Sequence, residues 1–189
     1  MKAETRKDEI IKTAAKLFKE KGYSAVTMRD LATAMGIKAA SLYNHINSKQ
    51  EILKEIIISL AEDFTEGMEI IKSSNENSFD KLSQIITLHI EISSQNIYGM
   101  ASLNNDWMHL EDQLDYYLKL RNEYEDNFRY IIRSGIKNNE LLNDNLEVML
   151  FSMLSTLRSL YIWIPKKEDL NQEQLAESLT KVLIQGISK

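Results

Sequence analysis

Cysteine is absent from this 189-residue chain, and proline occurs once. The lack of cysteine excludes a disulfide scaffold, a thiolate zinc site and a cysteine nucleophile. One proline and six glycines are too few for a β-rich fold with many tight turns, so the composition favours an all-helical protein. No apolar run approaches the roughly 20 residues of a membrane span, and the N-terminus has no apolar secretion signal. We therefore expect a soluble, cytoplasmic protein.

Charge is distributed unevenly along the chain. Residues 1–50 contain ten Lys and Arg against five Asp and Glu, a net charge of +5, whereas residues 51–189 contain thirteen against twenty-three, a net charge of −10. A basic head on an acidic body indicates that the head contacts a polyanion and the body does not. Chance fluctuation over a short window explains the charge equally well, so other evidence is needed.

Hydrophobic periodicity predicts about nine helices. Three short helices lie in the first 46 residues: the second is capped by Thr27 and ended by Gly36, and the third runs from Ala39 to Ile46. A long fourth helix begins at Ser48, where Ser48 and Glu51 form a capping box, and continues toward Ser73. The remaining predicted helices cover residues 79–96, 99–111, 114–137, 145–163 and 171–187.

Three short helices with a glycine turn before the third are typical of a helix-turn-helix DNA-binding domain. The small residues Ala39, Ala40 and Ser41 would let the third helix enter the major groove. The polar side chains that follow them would reach phosphates or base edges. A generic three-helix core with a solvated polar face fits the helix pattern alone equally well.

The residues of the head decide between these two interpretations. The runs Ile10–Tyr23, Thr27–Ala32, Met35–Ile37 and Ser41–Leu53 resemble, in order and without gaps, the tetracycline-repressor (TetR/AcrR) family of bacterial transcriptional regulators. The resemblance implies phosphate contacts from Thr27, Tyr43, His45 and Lys49, and base-edge or groove contacts from Arg29, Ala40, Ser41 and Asn44. It also implies a C-terminal helical domain for ligand binding and dimerisation.

The chain departs from the family pattern at the start of the recognition helix. Family members often have Ser followed by Lys or Arg there, whereas this chain has Lys38 followed by Ala39. The recognition helix therefore lacks the usual capping side chain, and its cation lies one position earlier. We include Lys38 and Ala39 in the predicted DNA-binding surface, although the sequence leaves open which bases they contact.

Two C-terminal helices are the candidates for a dimer interface. The helix at 145–163 is apolar on most faces but carries a stripe of small residues, which permits close approach of another helix, and the last helix has one apolar side. Ordinary core helices of a monomer would also show this pattern. The predicted interface residues are Ser152, Ser155, Thr156, Ser159, Leu175, Leu179, Val182 and Leu183.

The other body helices carry large adaptable side chains that suit an apolar ligand, although each of them suits a protein core equally well. The stretch from Trp107 to Gly135, with Arg121 and Trp163, is similar to family members that respond to fatty acids or acyl-CoA thioesters. The predicted pocket residues are Met68, His89, Leu103, Trp107, Met108, Tyr117, Tyr124 and Phe128.

We therefore predict an all-α, ligand-responsive DNA-binding regulator with a helix-turn-helix domain at 1–50 and a ligand-binding and dimerisation domain at 51–189. It would be a homodimeric repressor, released from a palindromic operator by a small apolar or amphipathic effector. The sequence has no Gly-rich phosphate loop, HExxH or Gly-x-Ser-x-Gly motif, so we expect neither an enzyme nor a metal or cofactor site. The alternative is a helical adaptor that binds a protein partner through its basic head.

Overall fold

A computed structural model describes residues 5–167 and 171–186, and within them the regular elements are all helical. Four short 3₁₀ segments connect some of the α-helices. The α-helices are α1 (Arg6–Lys21), α2 (Met28–Ala34), α3 (Ala39–Leu42), α4 (Lys49–Ser73), α5 (Ser78–Gln95), α6 (Ile97–Asn105), α7 (Leu114–Lys137), α8 (Leu146–Arg158), α9 (Leu160–Trp163) and α10 (Gln172–Gln185).

The chain forms two compact units. The first contains Met1–Ala61 and Tyr98–Tyr117, and the second contains Glu62–Ile97 and Leu118–Lys189. Both α4 and α7 contribute residues to each unit. The predicted domain boundary between residues 50 and 51 falls inside α4 and stays a prediction.

Capping explains where the second helix begins and ends. The Thr27 hydroxyl accepts from the backbone N–H of Asp30 at 3.1 Å, and the Asp30 carboxylate accepts from the Thr27 backbone N–H at 2.9 Å. At the other end, Gly36 has a φ of +66°. The N–H groups of Gly36 and Ile37 donate to the carbonyls of Thr33 and Ala32, which is the Schellman arrangement that only a residue without Cβ forms easily.

The third helix is shorter than the sequence predicts. It ends at Leu42, and residues 43–45 form turns. Lys38 at its N-cap makes no side-chain capping bond, as expected from the departure noted above. The N–H groups of His45 and Ile46 both donate to the carbonyl of Leu42, so the chain stays tightly wound beyond the helix. Leu42 and Ile46 are buried beneath the polar residues between them.

The cap of α4 differs from the predicted box. The Ser48 hydroxyl accepts from the Glu51 N–H at 3.0 Å, which is half of the expected arrangement. The Glu51 carboxylate does not return to Ser48, because it accepts at 2.8 Å from both the backbone N–H and the side-chain amide of Asn47. The acidic side chain thus anchors the turn that follows α3 to the first turn of α4.

Within the second unit, two glycines permit close helix packing. A Cβ at Gly67 of α4 would lie 2.7 Å from the side chain of Leu88 in α5. A Cβ at Gly135 of α7 would lie 2.7 Å from Leu141 and 2.8 Å from Ser78. A larger residue at Gly67 would therefore require the Leu88 side chain to move, and one at Gly135 would require Leu141 and Ser78 to move.

The helix predicted at 145–163 is interrupted at Ser159, which separates α8 from α9. The hydroxyls of Thr156 and Ser159 donate to the carbonyls of Ser152 and Ser155, four residues earlier, a competition with the backbone that bends helices.

The segment Leu146–Lys166 is long and apolar enough to cross a membrane by length and composition, with a mean hydropathy of 1.3. This corrects the expectation that no apolar run approaches that length. About two fifths of the segment is buried inside the structure, and one such helix is also typical of a soluble protein's core. Its buried side chains include Met153, Leu157 and Leu160.

Candidate nucleic-acid interface and effector site

The predicted DNA-binding residues all lie in the first unit, and most of them are exposed. Tyr43 is 52% exposed despite its large ring, and the buried Leu42 next to it holds the turn in place. Ala39 and Lys49 are half-buried. The other predicted residues are exposed, namely Thr27, Arg29, Lys38, Ala40, Ser41, Asn44 and His45.

Lys49 has a structural role that sequence reasoning missed. Its ammonium donates to the carbonyl of Tyr23 at 2.8 Å and to that of Val26 at 2.9 Å. It also lies 4.2 Å from the centre of the Tyr23 ring, a cation–π contact. The side chain therefore fixes the loop between α1 and α2 to the start of α4. An ammonium has three N–H donors, so one remains for a phosphate.

A second network connects this loop to the 3₁₀ segment Trp107–His109. The Tyr23 hydroxyl donates to the side-chain oxygen of Gln50 at 2.6 Å, and the Gln50 amide donates to the His109 carbonyl at 2.5 Å. The rings of Tyr23 and His109 stack with centroids 5.3 Å apart. Burial, together with Glu111 and Asp106, raises the pKa of Tyr23, so its hydroxyl stays a donor. No sequence signal marks Gln50, because its partners lie far from it along the chain.

Four of the predicted pocket residues lie in the first unit. The rings of Trp107 and Tyr117 stack with centroids 5.8 Å apart. The Tyr117 hydroxyl makes a long contact of 3.4 Å with the carbonyl of Leu103. Met108 is 62% exposed, so it does not belong to this stack.

The other four predicted pocket residues lie buried in the second unit. The imidazole Nε2 of His89 is 2.7 Å from the Tyr124 hydroxyl. Phe64 lies against both rings, with its centroid 4.7 Å from His89 and 5.9 Å from Tyr124. Phe128 makes an edge contact with Tyr124 at 6.4 Å. Met68 is buried in the same unit.

Burial determines the ionisation of this aromatic cluster. It lowers the pKa of His89 to about 3, and the positive charge of Arg158 acts in the same direction. Burial also raises the pKa of Tyr124 well above its usual range. Both groups are therefore neutral at physiological pH. Arg158 itself donates to Glu125 at 2.6 Å and holds the pKa of that carboxyl below its usual range against the opposing effect of burial.

The predicted dimer residues divide by exposure. Ser152, Ser155 and Ser159 are exposed along one side of α8, and Thr156 is half-buried beside them. On α10, Val182 is 71% exposed, Leu179 and Leu183 are half-buried, and Leu175 is buried within its own protomer. The exposed side of α8 and α9 also carries large apolar residues that were not among the predicted interface residues: Val148, Phe151, Ile162 and Trp163.

Two family models match this chain and together cover most of it. Residues 10–56 match the model of bacterial regulatory proteins of the tetR family, and residues 75–187 match that of the tetracyclin repressor-like C-terminal domain. The chain belongs to the TetR family. The matched N-terminal region contains α2, α3 and their exposed polar residues, so the resemblance inferred from the sequence is confirmed.

Individual relatives agree over nearly the whole length. The HTH-type transcriptional repressor KstR2 of Rhodococcus jostii is 24% identical over 186 residues, which is 97% of this chain and 91% of that protein. The solved structure of the ketosteroid transcriptional regulator KstR2 of Mycobacterium tuberculosis is 21% identical, has a TM-score of 0.91, and covers 100% of this chain and 97% of that one. AibR in complex with isovaleryl coenzyme A and operator DNA is 21% identical, has a TM-score of 0.76, and covers 95% and 98%.

Family membership establishes the function predicted above at the level of the class. This TetR-family protein is a ligand-responsive DNA-binding repressor that acts as a dimer on operator DNA. The adaptor alternative is not favoured, and the family is regulatory rather than enzymatic. Among the described residues, no group of three or more His, Asp or Glu side chains is placed to hold a metal ion.

Proposed function

We propose that the protein represses transcription by inserting the exposed surface around α3 into the major grooves of a palindromic operator. The observation that carries this proposal is the division of the 38–46 segment into a buried underside, Leu42 and Ile46, and an outer face of small and polar residues. The small side chains of Ala39, Ala40 and Ser41 would allow α3 to come close enough to the bases for direct contacts. Arg29, Lys38 and Asn44 supply donors for base edges.

Phosphate contacts would come from the rim of this surface. Tyr43 and His45 lie in the turn after α3. Thr27 caps the N-terminus of α2, and Lys49 is the first residue of α4. Thr27 also caps α2, and Lys49 also bonds to the loop between α1 and α2. Each side chain would therefore contribute both to the stability of the fold and to DNA binding. The third donor of the Lys49 ammonium would face a phosphate.

The dimer would form through the exposed sides of α8 and α10. Phe151 is 72% exposed in the protomer, and the apolar side chains of Val148, Ile162 and Val182 are exposed as well, although their contact with water is unfavourable. The small residues Ser152, Ser155 and Ser159 between them would allow the partner's helices to approach closely. An isologous four-helix bundle joins the same residues of both subunits.

The effector would be a small apolar or amphipathic molecule, with an acyl-CoA thioester as the leading class. AibR supports this class because it was solved with isovaleryl coenzyme A, and the aromatic and methionine side chains of the body suit an acyl chain. The effector would favour a conformation in which the distance between the two helix-turn-helix domains of the dimer does not match the distance between the operator half-sites. The uninterrupted α4 would carry the change, since it begins beside the DNA surface and ends in the second unit.

The action would be stoichiometric, in the cytoplasm, and without a catalytic step. The effector shifts the equilibrium only if it binds the released conformation more tightly than the DNA-bound one. Chemical conversion of the effector is not required.

The direct test is selection of a binding site from a random duplex library, followed by affinity measurements at several salt concentrations. We expect a palindromic site that binds much more tightly than random DNA, with an affinity that falls steeply as salt rises. Tyr43→Ala should weaken binding to every sequence. Tyr130→Ala is the matched control, because Tyr130 is as exposed as Tyr43 but lies on α7.

The effector class is tested on the selected site with isovaleryl-CoA and longer acyl-CoA thioesters. Release of the operator by one of them at micromolar concentration supports the class, and no release by any of them contradicts it. Selection of no duplex, or Tyr43→Ala binding as well as the control variant, would contradict the DNA-binding proposal.

A further inference from the structure

Polar atoms without partners are concentrated on one stretch of α5. Among the residues that the structure describes, four buried side-chain atoms make no hydrogen bond, namely His89 Nδ1, Ser93 Oγ, Ser94 Oγ and Ser102 Oγ. Three of the four lie between residues 89 and 94 of α5. Because a buried unpaired polar group costs free energy, these atoms need partners that the surrounding helices do not supply, such as a ligand or an ordered water.

Several other hydroxyls in the described helices are satisfied by their own backbone. Thr13, Thr33 and Ser73 each donate to a carbonyl four residues earlier, at 2.7–2.9 Å. Thr87 does so on α5 itself, at 3.2 Å from the Ser83 carbonyl. Ser93 makes no such bond. Since His89 and Ser93 are four residues apart on a helix, their polar groups lie on the same face.

The pairing of His89 with Tyr124 determines what the free imidazole nitrogen offers. A buried phenol needs an acceptor for its proton, and the unprotonated Nε2 of His89, 2.7 Å away, provides one. In that tautomer the hydrogen is on Nδ1, the nitrogen that has no partner. The cluster therefore presents one neutral N–H donor.

The surroundings of this donor are apolar. Phe64 packs on the imidazole at 4.7 Å, and Phe128 packs on the edge of Tyr124. A charged group of a ligand would lose its hydration here, which costs far more than a neutral carbonyl loses. The site is thus suited to an uncharged acceptor on an otherwise apolar molecule.

We propose that His89 Nδ1–H, assisted by the Ser93 hydroxyl, binds the carbonyl oxygen of a neutral ketone, ester or thioester effector. This inference rests on the proposed effector-responsive function and identifies the group of the effector that is recognised. A free fatty acid carboxylate suits this site less well, because its charge would lose its hydration and the nearest cation, Arg158, already pairs with Glu125 at 2.6 Å.

Two probes that differ only in the carbonyl test the inference. Decanoyl-pantetheine is a neutral thioester, and S-decyl-pantetheine is the thioether with the same chain and tail. The full-length protein should bind the thioester about five- to tenfold more tightly, the usual effect of one buried hydrogen bond. His89→Phe should abolish this preference while keeping a ring against Phe64. Thr87→Ala is the control, since the Thr87 hydroxyl already bonds to its own backbone.

A spectroscopic readout covers the case in which His89→Phe does not fold. In the unmodified protein with ¹⁵N-labelled histidine, the chemical shift of His89 Nδ1 should show that this nitrogen is protonated. Its resonance should shift when the thioester is added but not when the thioether is added. Equal binding of the two probes, binding of neither, tighter binding of decanoate, or a proton on Nε2 would each overturn the inference. Failure of the proposed function is seen separately in the operator assay, which uses neither probe.

Discussion

The hydroxyl of Tyr23 donates to the side-chain oxygen of Gln50 over 2.6 Å, and this bond joins the loop after α1 to the first turn of α4. Gln50 extends the connection to the backbone of His109. Within the first unit, the 3₁₀ segment that contains Trp107 is therefore tied through side chains to the start of α4. A displacement of this segment by a ligand would pull on the start of α4, where the predicted phosphate contacts lie.

Gln50→Glu tests this connection with almost no change in shape. The carboxylate keeps the acceptor for Tyr23 but cannot donate to the His109 carbonyl. We expect amide hydrogen exchange at His109 and Leu110 to become up to about tenfold faster, which corresponds to the loss of one hydrogen bond. Gln95→Glu, an exposed change at the end of α5, is the control. Unchanged exchange in Gln50→Glu would mean that the stacked rings alone hold the segment.

Lys49→Met tests the ammonium that holds the loop between α1 and α2. The variant keeps the length of the side chain but loses two hydrogen bonds to carbonyls and the contact with the Tyr23 ring. We expect the free energy of unfolding, measured by urea denaturation, to fall by about 1–3 kcal/mol. Lys54→Met, on an exposed side of the same helix, should change it by less than about 0.5 kcal/mol. Equal effects of the two substitutions would refute the structural role of Lys49.

The buried His89 predicts how stability depends on pH. Its pKa is about 3 in the folded protein and about 6.5 in the unfolded chain, so the unfolded state binds more protons between these values. The free energy of unfolding should therefore fall as the pH drops below 6.5, with a slope approaching about 1.4 kcal/mol per pH unit.

Denaturation midpoints at pH 7, 6 and 5 measure this slope. His89→Phe should reduce it in this range, and His45→Gln, which changes an exposed histidine, should not. A slope that is the same in all three proteins would show that His89 is not buried as described.

Phe151→Glu tests the predicted dimer surface. A charge in the centre of an apolar interface should produce monomers in sedimentation experiments at micromolar protein concentration. Ile70→Glu is the matched control, because Ile70 is a similarly exposed apolar residue on α4, outside the predicted interface. A dimer that persists in Phe151→Glu and dissociates in Ile70→Glu would place the interface elsewhere.

Local patterns predicted most of the helices. The structure has α7 at Leu114–Lys137, as the apolar periodicity indicates, and Thr27 and Gly36 bound α2 through their expected caps. The break at Ser159 was not predicted, because apolar residues continue on both sides of it, from Leu157 to Leu160 and Tyr161. The length of α3 was overestimated because its apolar spacing continues into the turn that follows.

Contacts between distant residues account for what the sequence did not predict in the candidate sites. Lys49 was singled out as a phosphate ligand, but its bonds to the Tyr23 and Val26 carbonyls involve backbone groups that no sequence pattern reveals. His89 and Tyr124 were each named as pocket residues from their chemistry, whereas their pairing depends on how α5 packs against α7. The roles of these residues in ligand binding stay predictions.

Methylation interference on the selected operator tests the central claim most directly, because modification of guanine N7 changes only the major groove. We predict that binding is blocked by modification at two symmetric positions whose centres are about one helical turn apart, one for each recognition segment of the dimer. Binding that is insensitive to N7 methylation, or sensitive at a single position without a symmetric counterpart, would contradict the account.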